Sequence, residues 1–494
     1  MMELHSQSNQ STADTRGKDR PQAQENISFS LHKPTLAMGP VINFSHCDNT
    51  SRPSEAEHRS LDVVVRYNSP RKRKFAMWMI RSLLLLVSPS LSHSLAGVAA
   101  APSVRSVVIV GGTHGNEYTG VWCIKELEQP SVYQQVSKQY PSLQISTLMG
   151  NPDAHMANKR FIDTDLNREF TTKKLLAIQE KLASSHDQAD TTTTTTTSIL
   201  AESLRAQQVN QLLGPKTNPA TDVVVDLHTT TTNMGITIII PERDALMAQA
   251  AAYVMHKCQE ENPAGTINGG STTSTPNHNG MMSEAVRIVM HGIPDRDDRP
   301  NLSSVGKHGF TIEVGPVPQG VIRHDVVEKT KLALASFLEF LERHNKTGND
   351  DQTEGSVLKE IKEWYPNGRV PCYRSAVAKK PGEMSGKIKW PCADHNHNFP
   401  KYMVHKSIQD QDFMLIKSGD PLFVSMEGDI IHYDGSHGDP VHLMFINEGG
   451  YYYASSGTGI GVAVQTEYEL ETADFVDLDE LCLFDSDSEG CSLE

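Results

Sequence analysis

Val107-Val108-Ile109-Val110-Gly111-Gly112-Thr113-His114-Gly115-Asn116-Glu117 is the stretch from which the rest of the chain can be read. Its apolar, β-branched start has the pattern of a strand buried on both faces, as in parallel sheets. The glycines that follow let the backbone turn sharply without a Cβ clash. A histidine and a glutamate at i, i+3 therefore stand at a strand end, where open α/β sheets place their chemistry. Imidazole and carboxylate together suit zinc, and this spacing lets both reach one ion. Taken alone, the same pair also reads as a glycine-rich turn with a surface His and Glu.

Three further stretches bear on that choice. Asp222-Val223-Val224-Val225-Asp226-Leu227-His228 is a second short buried-strand pattern, and alternation puts Asp226 and His228 on one face. A catalytic zinc typically takes three protein ligands and leaves a position for water. His114, Glu117 and His228 would form such a set, with Asp226 orienting a ligand imidazole through its other ring nitrogen. The plain alternative is a buried Asp–His hydrogen bond. In Phe310-Thr311-Ile312-Glu313-Val314-Gly315-Pro316, Glu313 lies inside an apolar strand, which is costly unless it is paired or functional. Beside an activated water it would serve as general base and then general acid. Its other role would be a salt bridge to an arginine of Arg160-Phe161-Ile162-Asp163-Thr164-Asp165-Leu166-Asn167-Arg168. Guanidinium groups there could fork onto carboxylates or face a developing oxyanion.

In their order, Gly-Gly-Thr-His-Gly-Asn-Glu, Asp-Leu-Asn-Arg, Asp-Leu-His and Ile-Glu-Val-Gly-Pro-x-Pro-Gln-Gly resemble the aspartoacylase and succinylglutamate desuccinylase family. The match runs from about Val104 to about Tyr453, through Asn210-Gln211-Leu212-Leu213-Gly214-Pro215-Lys216, Gln409-Asp410-Gln411-Asp412-Phe413, Gly419-Asp420-Pro421 and Phe445-Ile446-Asn447-Glu448-Gly449-Gly450-Tyr451. The resemblance implies a zinc-carboxypeptidase-like α/β catalytic domain with a mixed sheet, followed by a smaller C-terminal β domain covering the pocket. It implies one zinc per chain on His114, Glu117 and His228, with Glu313 as the catalytic glutamate. Arg160 would steady the substrate carbonyl and its oxyanion. Asn167 and Arg168 would grip the substrate α-carboxylate. Tyr451, Phe445 and Glu448 would line the pocket from the C-terminal domain. The implied reaction is hydrolysis of an N-acyl-L-amino acid, such as N-acetylaspartate or an N-acyl aromatic amino acid.

Two positions depart from the family pattern. Aspartate-selective members have an arginine ahead of the catalytic glutamate where this chain has Ser303. The expectation is a pocket that does not strongly require a second substrate carboxylate, with Arg299 or Arg296 as the alternative cation. Thr229 follows Asp-Leu-His where the family usually has asparagine, which exchanges an amide for a hydroxyl.

Organisation follows from composition. The chain has 494 residues, long enough for two or three domains. An apolar fraction of 38% and aromatics at 6% are low for a chain folded throughout, and point to disordered ends. The net charge of −15 sits largely in the tail, since no Lys or Arg follows Glu467. No basic stripe of the nucleic-acid-binding kind is present. Seven scattered cysteines without a Cys-x-x-Cys pair argue against a disulfide framework and for a reducing, cytoplasmic compartment. Residues 1–101 read as a polar extension. Within it, basic, apolar and small-residue zones at 71–101 follow signal-peptide grammar, which gives secretory or organellar targeting as the alternative. That apolar run is too short and too interrupted by Arg81 to span a membrane. Residues 102–345 read as the catalytic domain, 346–369 as a linker, 370–468 as the β domain and 469–494 as an acidic tail, in which Phe475, Leu478, Leu481 and Leu483 allow a short docking helix. Helices are expected at 118–127, 198–213 and 326–341, a solvated loop at Thr191–Thr197 and a mobile loop near the pocket at Gly265–Asn279.

Two competing functions stay open at this level, a peptide carboxypeptidase on the same scaffold and a non-catalytic binding protein. A small-molecule N-acyl amino acid is the expected partner. Oligomeric state is not readable, and a homo-oligomer is allowed.

Overall fold

The computed structural model describes residues 103–187, 199–261, 285–293, 295–348, 353–375, 386–391, 400–452 and 459–476. The segment at 71–101, the threonine run, the Gly265–Asn279 loop and the tail beyond residue 476 lie outside them. The strands are β1 (Ser106–Gly111), β2 (Gln144–Met149), β3 (Val223–Thr229), β4 (Gly235–Pro241), β5 (Val286–His291), β6 (His308–Gly315) and β7 (Arg369–Ser375). After them come β8 (Lys387–Lys389), β9 (Tyr402–Val404), β10 (Leu415–Ile416), β11 (Pro421–Ser425), β12 (Ile430–His432), β13 (Val441–Met444) and β14 (Gly459–Glu469). One mixed sheet runs β10-β13-β14-β7-β5-β4-β6-β3-β1-β2, with β8 beside β14, and β12-β11-β9 form a small second sheet. β1 lies one strand in from the β2 edge and is parallel to both of its neighbours, β2 and β3, so its unbroken apolar run is covered on both faces. β4 runs antiparallel to β6, which makes the sheet mixed.

Alternation along the strands decides where the chemistry goes. Val107 and Ile109, Val223, Val225 and Leu227, and Phe310, Ile312 and Val314 belong to the main core. The helices Tyr118–Leu127, Ala245–Glu261, His324–Thr347 and Val357–Trp364 contribute to that same core. Asp226, His228, Thr311 and Glu313 therefore project from the other face of β3 and β6.

The helix expected at 118–127 is observed with those bounds. The helix expected at 198–213 starts at Ala201, because Leu200 is extended and the distant Asp163 carboxylate accepts the Ala201 N–H at 2.7 Å. The helix expected at 326–341 runs His324–Thr347 and stops where Gly348 adopts φ +64°.

Two boundaries are corrected. The stretch read as a linker, 346–369, contains the helix Val357–Trp364, whose Val357, Leu358 and Ile361 are buried in the main core. Three apolar residues in a charged stretch carry little sequence signal, yet they cover one narrow stripe. The tail boundary at 469 is also too early, since Leu470 and Ala473 are buried and the Ala473 carbonyl accepts the Arg243 N–H. The C-terminal strands have their own core around Phe423 and Leu443. They also extend the catalytic sheet, because β14 pairs with β7 and β7 pairs with β5. Among the described residues no helix is long and apolar enough to cross a membrane.

Candidate active site

The turn after β1 works because of two close approaches. Gly112 has φ +73°, and Gly115 packs so tightly that a Cβ there would lie 2.2 Å from the Ala154 carbonyl carbon. The turn delivers His114 and places Glu117 at the N-cap of helix Tyr118–Leu127. His114 Nδ1 is 2.5 Å from Glu117 Oε1, and His228 Nδ1 is 3.0 Å from Glu117 Oε2. All three side chains are buried, and their donor atoms lie within 4.8 Å of one another.

The outer nitrogens are also held. His228 Nε2 is 2.9 Å from Asp226 Oδ2, and Asp226 Oδ1 accepts the Thr113 hydroxyl at 2.7 Å. His114 Nε2 meets Asp165 Oδ1 at 3.1 Å. Each histidine thus turns one nitrogen inward and the other toward a carboxylate, as metal-ligating histidines do. The donor set fits a divalent metal ion. Asp226 takes the place expected of it. Asp165 carries no signal of its own in the sequence, and the structure sets it against His114 as Asp226 is set against His228.

The electrostatics agree with a site built to hold positive charge. Burial alone would raise the Glu117 carboxyl, but His114 and His228 hold it well below the usual range. Burial opposes the charged form of His228, yet Asp226 and Glu117 keep its proton affinity well above normal.

Glu313 is the register partner of His228 across the parallel pair β3–β6. It lines a cavity of about 390 Å³ together with His114, Glu117 and His228. Among the described residues its carboxylate has no ion-pair partner, so the alternative salt bridge to Arg160 or Arg168 is not made. Burial, reinforced by Glu117 and Glu448, holds its carboxyl well above the usual range against the opposing charges of His228 and Arg160.

Arg160 is pinned among three carboxylates, with Nη1 3.2 Å from Glu117 and 3.6 Å from Glu448, and Nη2 3.6 Å from Asp165. Asn167 uses Oδ1 to accept the Leu302 N–H at 2.8 Å and leaves Nδ2 at 3.5 Å from His228 Nε2. Arg168 donates Nη1 to the Asn167 carbonyl at 2.9 Å and lines the cavity. Phe445 and Tyr451 line it from the C-terminal strands, and Phe445 does so at φ +55°, where non-glycine residues are rare.

Glu448 also reaches the cavity, but its carboxylate is occupied. It accepts the Thr230 hydroxyl at 2.6 Å, the Thr231 N–H at 3.0 Å, the Gly450 N–H at 3.1 Å and the Gln319 amide at 3.2 Å. It clamps the loop after β3 to the C-terminal strands and backs Arg160. Thr229 donates its N–H to Glu117 at 3.0 Å, so this position supports the Glu117 carboxylate through its backbone. Ser303 is buried away from the cavity, taking the Asn301 amide at 2.6 Å. Arg299 donates Nε to the Ile293 carbonyl at 2.9 Å and is also off the cavity wall. The basic side chains that line the cavity, besides the two arginines of the 160–168 stretch and the triad histidines, are Lys387 and His291, and burial with the nearby positive charges pushes the His291 imidazole down to about 4. Neither belongs to a recognisable motif.

A buried His-Glu-His group that could hold a metal ion, with an unpaired glutamate beside it on a mixed α/β sheet, is an arrangement that suits metal-dependent hydrolysis. The succinylglutamate desuccinylase/aspartoacylase catalytic domain matches residues 103–341, and the AstE/AspA barrel-sandwich hybrid domain matches 383–458. A probable aspartoacylase of Nostoc sp. is 32% identical over 351 residues, covering 71% of this chain and 93% of the relative. An N-acyl-aromatic-L-amino acid amidohydrolase (carboxylate-forming) of Xenopus laevis is 32% identical, covering 71% and 92%. The crystal structure of murine aminoacylase 3 aligns with a TM-score of 0.52 at 25% identity, over 75% of this chain and 98% of that one. The chain belongs to the succinylglutamate desuccinylase/aspartoacylase family.

Proposed function

We propose that this chain is a zinc-dependent N-acyl-L-amino acid amidohydrolase, releasing a carboxylate and a free amino acid. The observation that carries the reading is the pairing of His228 with Glu313 across β3–β6, which sets an unpaired carboxylate beside the metal-ligating triad. His114, Glu117 and His228 would hold one zinc, which would supply Lewis-acid polarisation of the amide carbonyl and acidify a water. Glu313 receives the water proton on its carboxylate and returns it to the leaving amine nitrogen. Arg160, held rigid by its three carboxylates, faces the developing oxyanion. Arg168 and the Asn167 amide anchor the substrate α-carboxylate, Tyr451 and Phe445 close the far wall, and Glu448 acts through Arg160.

A cavity of about 390 Å³ walled by the C-terminal strands favours a small N-acyl amino acid over a peptide. Buried free thiols at Cys123, Cys258 and Cys372 support a reducing, cytoplasmic setting.

The test is metal analysis combined with turnover on N-acetylaspartate, N-acetyltyrosine and short peptides. One zinc per chain and release of free amino acid from an N-acyl substrate are expected. Turnover of peptides alone would make the chain a carboxypeptidase, and bound zinc with no turnover would make it a binding protein.

A further inference from the structure

Lys387 has no part in the site as described. It opens β8 in register with Gly461 of β14, and Gly386 and Gly461 line the cavity beside it without side chains to shield it. Its Nζ is 5.9 Å from the Tyr451 ring centroid. No described carboxylate lies within ion-pair distance of it. The acid whose charge reaches it, Asp165, is already engaged by His114 and Arg160. The remaining charges around it are positive, from Arg168 and Arg160, and its own charge is felt at His291 on the same cavity wall. Burial and these cations push the Lys387 ammonium down to about 7. A half-buried ammonium that lines the cavity among arginine charges, with no described carboxylate beside it, is costly, and an anionic ligand relieves that cost.

We propose that Lys387, beside Arg168 and His291, forms a subsite for a second carboxylate, so that the substrates are dianionic N-acyl amino acids. This inference rests on the amidohydrolase reading and deepens it. With Arg168 committed to the α-carboxylate, Lys387 is the adjacent cation free for the other. The second carboxylate can come from the amino-acid side chain or from the acyl chain, since both present the same group to an ammonium. The expectation drawn from Ser303 is thereby reversed, because the cation is supplied from β8 and not from the position before the catalytic glutamate.

The experiment compares Lys387→Met, Lys387→Arg and, as a surface control, Lys389→Met. N-acetylaspartate and N-succinylleucine are the dianionic substrates, and N-acetylleucine and N-butanoylleucine are their singly charged matches. Lys387→Met is expected to lower the dianion-to-monoanion ratio of kcat/KM by about tenfold to a hundredfold, with partial rescue in Lys387→Arg. The substrate pair whose ratio collapses identifies the source of the carboxylate. An unchanged ratio, or an equal fall on all four substrates, overturns the subsite and leaves Lys387 a packing residue against Tyr451. Calorimetry with glutarate and butyrate separates this from failure of the amidohydrolase reading. If the wild type hydrolyses none of the four, that reading fails, while a glutarate preference lost in Lys387→Met still supports the subsite and its absence in the wild type overturns it.

Discussion

The Asp165 carboxylate meets the outer ring nitrogen of His114 at 3.1 Å and, with the same oxygen, accepts the Asn167 N–H at 2.9 Å. One aspartate therefore orients His114, a candidate metal ligand, and shapes the turn that presents the residues proposed to bind the substrate carboxylate. Asp165→Asn is expected to weaken metal affinity by about 10- to 100-fold, the usual cost of losing such a partner. Competition with a chelator measures it, and wild-type affinity in the variant would refute the role.

Glu313→Gln should retain the metal and the fold while losing about 10²–10⁴-fold in kcat, because the amide keeps the shape and cannot accept the proton. Metal content and kcat are measured on the same preparation. Near wild-type turnover would show that the Glu313 carboxylate is dispensable.

Gly450→Ala should impair activity although position 450 carries no side chain of its own. A Cβ there would lie 2.9 Å from Arg160 Cδ and Nε, and Arg160 cannot retreat because three carboxylates hold its guanidinium. Overpacking of this kind costs about 1–3 kcal/mol. The expected signature is a fall in kcat larger than the accompanying change in Tm would explain, and an unaltered kcat would show that Arg160 has room to move.

Lys216→Met should destabilise the protein strongly. The buried ammonium donates to the Phe170 carbonyl at 2.7 Å, the Arg299 carbonyl at 2.6 Å and the Ser304 hydroxyl at 3.0 Å. Methionine fills the volume and strands these acceptors, at about 1–3 kcal/mol for each buried group left unsatisfied. Those contacts also fix the loop whose Leu302 N–H binds Asn167, so KM should rise as well. A Tm within a degree or two of wild type would contradict this account.

Stability should fall as pH rises through the range set by Asp412. This buried carboxylate accepts the N–H groups of Asn233 and Ile446, joining the loop after β3 to the C-terminal strands, and burial pushes it up from 3.8 to about 6. The folded state then holds a proton that the unfolded state has released between these values. Its contribution is full below about 4 and lost as pH rises through 6. Tm profiles of wild type and Asp412→Asn should therefore diverge between these limits, and parallel profiles would remove Asp412 as the cause.

Much of the site could be read along the chain because it is written in short local patterns. The apolar run before Gly111-Gly112 marks a strand buried on both faces and paired on both sides. Alternation alone puts Asp226 with His228 and Thr311 with Glu313. Both inferences depend only on the geometry of consecutive residues, so they hold without knowledge of any partner. The helix Val357–Trp364 was missed for the complementary reason, that its apolar stripe acquires meaning only from the core it covers.

What the chain order could not decide is which separated segments meet. That β6 lies next to β3, and so brings Glu313 level with His228, is a property of strand order and register, set by burial of Ile312 and Leu227 in a common core. The capture of Asp165 by His114, the clamping of Arg160 by Glu448, and the arrival of Lys387 from β8 all join residues with no sequence spacing in common. The first two depend on desolvated charges finding partners once the sheet has closed, and the third on β8 pairing with β14. The local patterns marked the candidate ligand triad and the candidate base, while tertiary packing decided which carboxylates stand against them and that Lys387 lines the cavity beside them.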